Sequence, residues 1–341
     1  MNWHKQTIRV GILAVLTAML LRYAGSDLFG HALGIFSQPR LASFLIYSET
    51  GRKPELPQET TTPATEPTTL PSPTQPTASS ATQPSAPATP QLSFRPSDVS
   101  CFGIRYACSY RPDLQALLLQ QLQWDLTGDE PAILIIHTHG TEAYTPTADT
   151  LYQSHAAYRT TDTRYNVISM GDELTRLLQE AGLSVIHDRT AYDYMDYENA
   201  YVNSRAAVQA YLKQYPSIQM VLDLHRDAAE NADGSQWASS ATVDGAASAQ
   251  LMFVVGTDAL GDRHPDWQTN LSIAEKLTVL AEKTAPGLCR HIDLRAKRYN
   301  QDLASGALIV EVGSAGNTHA EAMNAIPVLA QAVIQLAGGT E

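Results

Sequence analysis

Five short apolar runs constrain this chain more than any other feature. They are Ala132–Ile136 (AILII), Leu183–Ile186 (LSVI), Met220–Leu224 (MVLDL), Leu251–Val255 (LMFVV) and Ala307–Val312 (ALIVEV). Each has the length of a strand, and their near-continuous apolar character suits strands buried on both faces, as in a parallel sheet. Helical patterns separate them. Val167, Met170, Leu174, Leu177 and Ala181 recur at helical spacing before a stop at Gly182. Leu271, Ala274, Leu277 and Ala281 repeat the pattern ahead of Pro286-Gly287. Thr318 with Glu321 forms a capping box that opens a last helix, which Pro327 can kink. Strands alternating with helices predict an α/β fold, with a doubly wound, mostly parallel sheet flanked by helices.

That pattern begins only after Phe94. Between Gly51 and Pro90, ten of forty residues are Pro and ten are Thr. Such a stretch cannot bury a core, so it reads as an extended linker. Upstream, Val10–Leu21 (VGILAVLTAMLL) carries no charge and follows Lys5 and Arg9. Its length is short for a hydrocarbon core of ~30 Å, but with Ile8 and snorkelling Arg9 and Arg22 it suffices. Arg22-Tyr23-Ala24-Gly25 is a poor cleavage site, so an uncleaved anchor is favoured over a signal peptide. The basic flank keeps the short N-terminus in the cytoplasm and everything after Arg22 outside. The predicted organisation is a membrane helix in 1–25, a juxtamembrane segment and Pro/Thr-rich linker in 26–97, and one folded domain in 98–341. The expected location is the cell membrane, single-pass, with the domain extracytoplasmic.

Charge excludes one class of partner. The whole chain carries a formal −12, and from Asp98 onward 16 basic face 30 acidic side chains. A protein that neutralises phosphates needs the opposite sign, so nucleic acid is not an expected partner.

The strongest chemical signal is Ile136-His137-Thr138-His139-Gly140-Thr141-Glu142. A buried strand ends and at once presents two His and a Glu, at the strand terminus where α/β sheets bind ligands. His139 and Glu142 have the His-x-x-Glu spacing of zinc sites in which two imidazoles and a carboxylate leave one position open for water. While the chain stays extended, His137 and His139 share a face, so one can ligate and the other support it. His225, after the apolar residues Met220–Leu224, supplies a third donor from another strand end. Arg226 and Asp227 can orient ligands, bind a substrate carboxylate or pair with each other. Glu311 sits within the Ala307–Val312 run, where an unpartnered carboxylate is costly. It is either a proton carrier beside the metal or half of a buried salt bridge with Arg226 or Arg295.

Weaker candidates are His155, which can lie over the cleft, and Arg205, Arg295 and Asn300, which can hold a substrate carboxylate or carbonyl. His187, His264, His291 and His319 read as surface or loop. Cys101 and Cys108 can close a short disulfide loop, or all three cysteines, with Cys289, are unpaired.

Taken together, three blocks resemble the stage II sporulation protein P family of membrane-anchored cell-wall hydrolases. They are His137-Thr138-His139-Gly140-Thr141-Glu142, Asp223-Leu224-His225-Arg226-Asp227, and Tyr299-Asn300-Gln301-Asp302-Leu303 continuing through Gly306–Ser314. The resemblance covers roughly residues 98–341 and implies a fold like the zinc amidases and, more distantly, zinc carboxypeptidases. It implies a zinc-dependent N-acetylmuramoyl-L-alanine amidase, with endopeptidase activity on cross-linked stem peptides, acting on peptidoglycan during engulfment beside stage II sporulation proteins D and M. By position, His139, Glu142 and His225 would hold Zn2+ and Glu311 would be the general base and acid. In the wider amidase group the carboxylate ligand comes from the following helix, where Tyr165-Asn166-Val167-Ile168 offers no Glu, so Glu142 stands by its spacing. Two rival expectations are a metallo-carboxypeptidase that trims stem peptides and a non-catalytic wall-binding module.

Overall fold

The computed structural model describes residues 92–338. After a 3-10 turn at Pro96–Cys101 come β1 (Ile104–Ala107), α1 (Leu114–Leu119), β2 (Ile133–Ile136), α2 (Val167–Glu180) and β3 (Val185–His187). The chain continues through α3 (Ala200–Gln214), β4 (Met220–Asp227), the β5–β6 hairpin (Ser240–Val243, Ala246–Ala249) and β7 (Leu251–Gly256). It ends with α4 (Trp267–Thr284), β8 (Ile292–Arg295), β9 (Ala307–Ser314) and α5 (His319–Leu336). All five apolar runs are strands. Gly182 ends α2 with a φ of +86°, a conformation that glycine adopts without a Cβ penalty. Thr318 caps α5, accepting from the Glu321 amide at 3.2 Å while Glu321 accepts the Thr318 amide at 2.8 Å. The helix runs on past Pro327.

Seven strands form one sheet in the order β1-β8-β7-β9-β4-β2-β3. Five of its pairings are parallel and one, β7 with β9, is antiparallel. The sheet is therefore two parallel blocks laid in opposite senses: β9, β4, β2 and β3 run one way, and β1, β8 and β7 the other. This refines the single doubly wound sheet expected from the sequence.

The two faces are covered unequally. On one, α2, α4 and α5 bury the main core, which includes Ile133, Ile135, Leu222, Leu224, Phe253, Leu308 and Val310. On the other, α3 covers only the β2–β4 part through Val208, Tyr211 and Leu212. Beyond β9 the apolar cover on this face is the ring of Tyr299, packed on Met252, Val254 and Ile309. All three cysteines are free. Among the described residues no helix is long and apolar enough to cross a membrane. The expected anchor and the linker as far as residue 91 lie outside them.

Candidate metal centre

The centre is built where β2 and β4 end side by side. Ile136 pairs with Asp223 in parallel register, and the chain leaves the strand at once. Thr138 turns it by donating its amide (2.7 Å) and its hydroxyl (2.6 Å) to the buried Asp223 carboxylate. Thr141 and Arg159 both donate to the buried Asp193, and the Glu142 amide closes onto the His139 carbonyl at 3.0 Å. This turn replaces the extended chain expected at 137–139, and with it the shared face. His137 points into the main core, whereas His139 joins the face that carries His225.

His137 is fully buried and serves the scaffold. Its Nδ1 lies 3.2 Å from the Leu224 carbonyl, so it carries the proton, and its Nε2 is left to accept from His187 Nε2 at 2.8 Å. Burial and the neighbouring His187 push the His137 imidazole down to about 3, which keeps it neutral. Gly171 makes room for the pair: a Cβ there would lie 2.6 Å from His137 Nε2 and 2.5 Å from His187 Nε2.

His139, Glu142 and His225 converge, with their nearest donor atoms all within 4.8 Å of one another. Glu142 faces His139 Nδ1 at 3.6 Å with one oxygen and His225 Nδ1 at 3.3 Å with the other. Ligands placed tetrahedrally around zinc at ~2.0–2.1 Å stand about 3.3–3.5 Å apart. The donor set is also the expected one, two imidazoles and a carboxylate, so these residues fit a zinc ion. Behind His225, Asp223 Oδ1 lies 3.0 Å from Nε2, which leaves Nδ1 to face the cluster. His139 is the most open of the three, with 15% of its side chain exposed. Its ring stacks on Tyr197 at 5.0 Å and meets the edge of Tyr201 at 5.4 Å.

The electrostatics are those of a dense charge cluster. Burial raises Glu142, but Arg226 and His225 outweigh it and hold the carboxyl well below its usual range. Burial lowers His225, yet the Asp223 and Glu142 carboxylates carry it well above the ordinary imidazole value. Arg226 is buried against Glu142 (3.5 Å), donates its backbone amide to the same carboxylate (3.2 Å), and bonds the Ala143 and Tyr158 carbonyls. Arg226 therefore pairs with Glu142, and Asp227 pairs instead with Arg290 at 2.7 Å.

Glu311 is the nearest neighbour of His225 on β9, paired with it in register. Its Oε2 is buried without a hydrogen-bond partner, and neither Arg226 nor Arg295 forms a salt bridge with it. Burial pushes the carboxyl up to about 8, opposed by His225 and reinforced by Glu142 and Asp227. At the same place the β4–β9 register shifts between His225 and Asp227. Gly313 takes the bend with a φ of +70°, and a Cβ there would meet Ala249 at 2.6 Å.

The other candidates lie elsewhere. His155 is exposed beside Tyr194. Arg205 is bound at both ends to Asp302 (2.8 and 2.7 Å), and Asn300 donates to the Tyr201 carbonyl at 2.7 Å. His264, expected at the surface, is fully buried, and His187 is half-buried on β3. Four residues of the centre had no role assigned from the sequence: Asp223, Arg159, Tyr197 and Tyr201. Asp223 alone carried a signal, standing two residues before His225 and hence on the same strand face.

An α/β domain with a His/Glu/His cluster at adjacent strand ends is the class that fold and centre define. A family model described as stage II sporulation protein P matches residues 46–334, and the chain belongs to that family. It is 29% identical over 210 residues to stage II sporulation protein P of Bacillus subtilis (strain 168), covering 58% of this chain and 49% of that protein. The chain thus spans about half the length of the curated relative it matches. Among solved structures it is similar to the N-acetylmuramoyl-L-alanine amidase AmiC2 of Nostoc punctiforme, at 10% identity and TM-score 0.39, over 61% of this chain and 98% of that one. A second is the CwlD amidase from Clostridioides difficile in complex with the GerS lipoprotein, at 12% identity and TM-score 0.36, over 61% and 98%. Similarity this distant says nothing about chemistry.

Proposed function

We propose that this domain is a zinc-dependent peptidoglycan hydrolase that cleaves the amide between N-acetylmuramic acid and L-alanine. One observation carries the reading: a zinc-type donor set stands beside the half-buried Glu311, whose Oε2 is buried without a hydrogen-bond partner among the described residues. Most buried carboxylates are hydrogen-bonded, and one left without a partner beside a donor cluster is suited to moving a proton.

His139, Glu142 and His225 would hold the ion, and zinc bound there supplies Lewis acidity towards a water and an amide carbonyl. Glu311 Oε2 takes the proton from the attacking water and delivers it to the nitrogen that leaves as the amine of L-alanine. Burial holds the Glu311 carboxyl up at about 8, and positive charge at the three donors would bring it down towards the range of a working base. Asp223 fixes the His225 ring, and Tyr197 and Tyr201 wall the open side of His139 against bulk water.

The family supports a role in sporulation, and action beside stage II sporulation proteins D and M is part of the same proposal. Cleavage of stem-peptide cross-links belongs to the same proposal. So does a membrane-anchored, extracytoplasmic location, which rests on residues 1–25. The full chain is to be incubated with intact peptidoglycan, with and without chelator, and the released fragments weighed by mass spectrometry. Free stem peptides and intact glycan strands, lost with chelator and restored by zinc, are expected. Release of terminal amino acids alone would make it a carboxypeptidase, and binding without release a wall-binding module.

A further inference from the structure

The half of this sheet face that no helix covers, and that the segment around Lys297–Tyr299 packs over instead, runs directly from the metal centre, and its polar residues follow a register. Glu311 pairs with Met252, and two residues further along β7, Val254 pairs with Asp293 of β8, which pairs with Arg105 of β1. At ~4.8 Å per strand and ~3.3 Å per residue, Asp293 lies about 12 Å from Glu311. Asp293 is fully buried. One of its oxygens accepts from both Arg105 and Arg295, and the other is buried with no partner. Arg295 spends only its Nε on this bond, at 2.5 Å. Among the described residues neither of its terminal nitrogens finds an acceptor, while 38% of the side chain is exposed. A guanidinium fixed through Nε with its outer edge free presents a fork to a planar anion.

The neighbours complete a path to the centre. Lys297 is exposed and stands over the rings of Tyr201 (5.9 Å) and Tyr299 (5.8 Å), and Tyr201 in turn touches His139. Tyr299 and Asn300 hold this segment with φ of 51° and 65°, costly for residues other than glycine. Arg105, Arg295 and Lys297 line this route with Asp293 between them, while Asp227, which acts on both Arg295 and Glu311, is paired with Arg290. By contrast, the guanidiniums of Arg205 and Arg226 are consumed by internal partners.

We propose that Arg295, oriented by Asp293, is a specificity residue that binds a carboxylate of the stem peptide three to four residues beyond the scissile amide. The inference rests on the amidase reading for the position of that amide. A span of about 12 Å is that of three to four extended residues. The glycan is uncharged, so the anion facing this strip belongs to the peptide, which places the peptide across β7 and β8 and the sugar on the opposite side of the cluster.

The test compares the full chain and its Arg295→Met and Arg295→Lys variants on paired muropeptides, with stem carboxylates either free or converted to primary amides. Arg295→Met should lower kcat/KM for the free acid about tenfold to a hundredfold through KM, as expected for a lost charge-assisted pair. The amide should be cleaved as by the parent, and Arg295→Lys should fall between, since it restores charge without the fork. Equal losses on both substrates, or none on the acid, would overturn the proposal. Calorimetry with the released peptide and its amide removes the dependence on turnover. If no version cleaves, the amidase reading fails, while a preference for the acid in the parent that vanishes in Arg295→Met still upholds the carboxylate site. No preference in the parent removes it.

Discussion

Two carboxyls, the half-buried Glu311 on β9 and the fully buried Glu275 on α4, show the same electrostatic symptoms in different surroundings. In both, burial pushes the carboxyl up to about 8. Both have buried oxygens without a hydrogen-bond partner. Glu275, however, sits on the helix against which α1 packs, with Lys276 and Asp113 as the charges in its neighbourhood. Glu311 sits in register with His225, one strand from a donor set with zinc spacing. A perturbed carboxyl therefore marks desolvation wherever it occurs. It becomes chemical only where a second group can use the proton it holds.

The largest expected effect separates the two directly. Glu311→Gln should lose roughly 10²–10⁴ in peptidoglycan turnover while binding zinc as the parent does, because acid–base assistance is worth that much. Glu275→Gln should leave turnover unchanged. Fragment release measured together with zinc content by atomic absorption checks both. Comparable losses in the two variants would erase the distinction.

Next comes the wiring of the donors. Among the described residues the Glu275 oxygens accept no hydrogen bond, whereas His225 is held between Asp223 at 3.0 Å and Glu142 at 3.3 Å. His225→Ala should lose the metal altogether. Asp223→Asn keeps all three donors but weakens the hold on the ring, and should cost about 10–100-fold in zinc affinity. Competition with a fluorescent chelator measures it, and an unchanged affinity would reduce Asp223 to a partner of Thr138. A packing test at the same strand ends follows. Gly171→Ala drives a methyl into the His137–His187 contact and should cost about 1–3 kcal/mol in urea unfolding.

What the sequence conveyed of this centre depended on where each residue stood. His139, Glu142 and His225 were legible because near-continuous apolar runs mark buried strands, and polar residues straight after such runs stand at strand ends. The strands β1 and β8 gave no such signal. Ile104–Ala107 and Ile292–Arg295 alternate, with Tyr106 and Leu294 packed into the main core and Arg105, Asp293 and Arg295 on the face that no helix covers. The polar positions that hid these strands are the ones that make the proposed carboxylate site. Helix α3 was equally silent, since it buries only Ala200, Ser204 and Val208. Arg159, Tyr197 and Tyr201 reach the cluster from segments that no spacing rule connects to it.

The smallest effect per unit of pH concerns Glu275 and its neighbour. Glu275 titrates near 4.5 unfolded and about 8 folded, so the fold holds a proton that the open chain has released. Its contribution is fully present below pH 4.5 and is lost as pH rises to 8, with a slope of at most about 1.4 kcal/mol per unit. Lys276 is shifted the other way, from 10.5 to about 8 by burial, although its ammonium donates to the Leu117 carbonyl (3.0 Å) and Ser272 (2.7 Å). Between pH 8 and 10.5 the unfolded chain binds that proton and the fold does not, so stability rises with pH. The pair together predicts a stability minimum near pH 8. Glu275→Gln should remove the falling limb and leave the rising one, and Lys276→Met should do the reverse. Urea midpoints for parent and variants from pH 5 to 10 read this out as differences, in which every other titrating group cancels. A Glu275→Gln difference that stayed constant across that range would mean the carboxyl reaches water in the folded protein, and its likeness to Glu311 would end there.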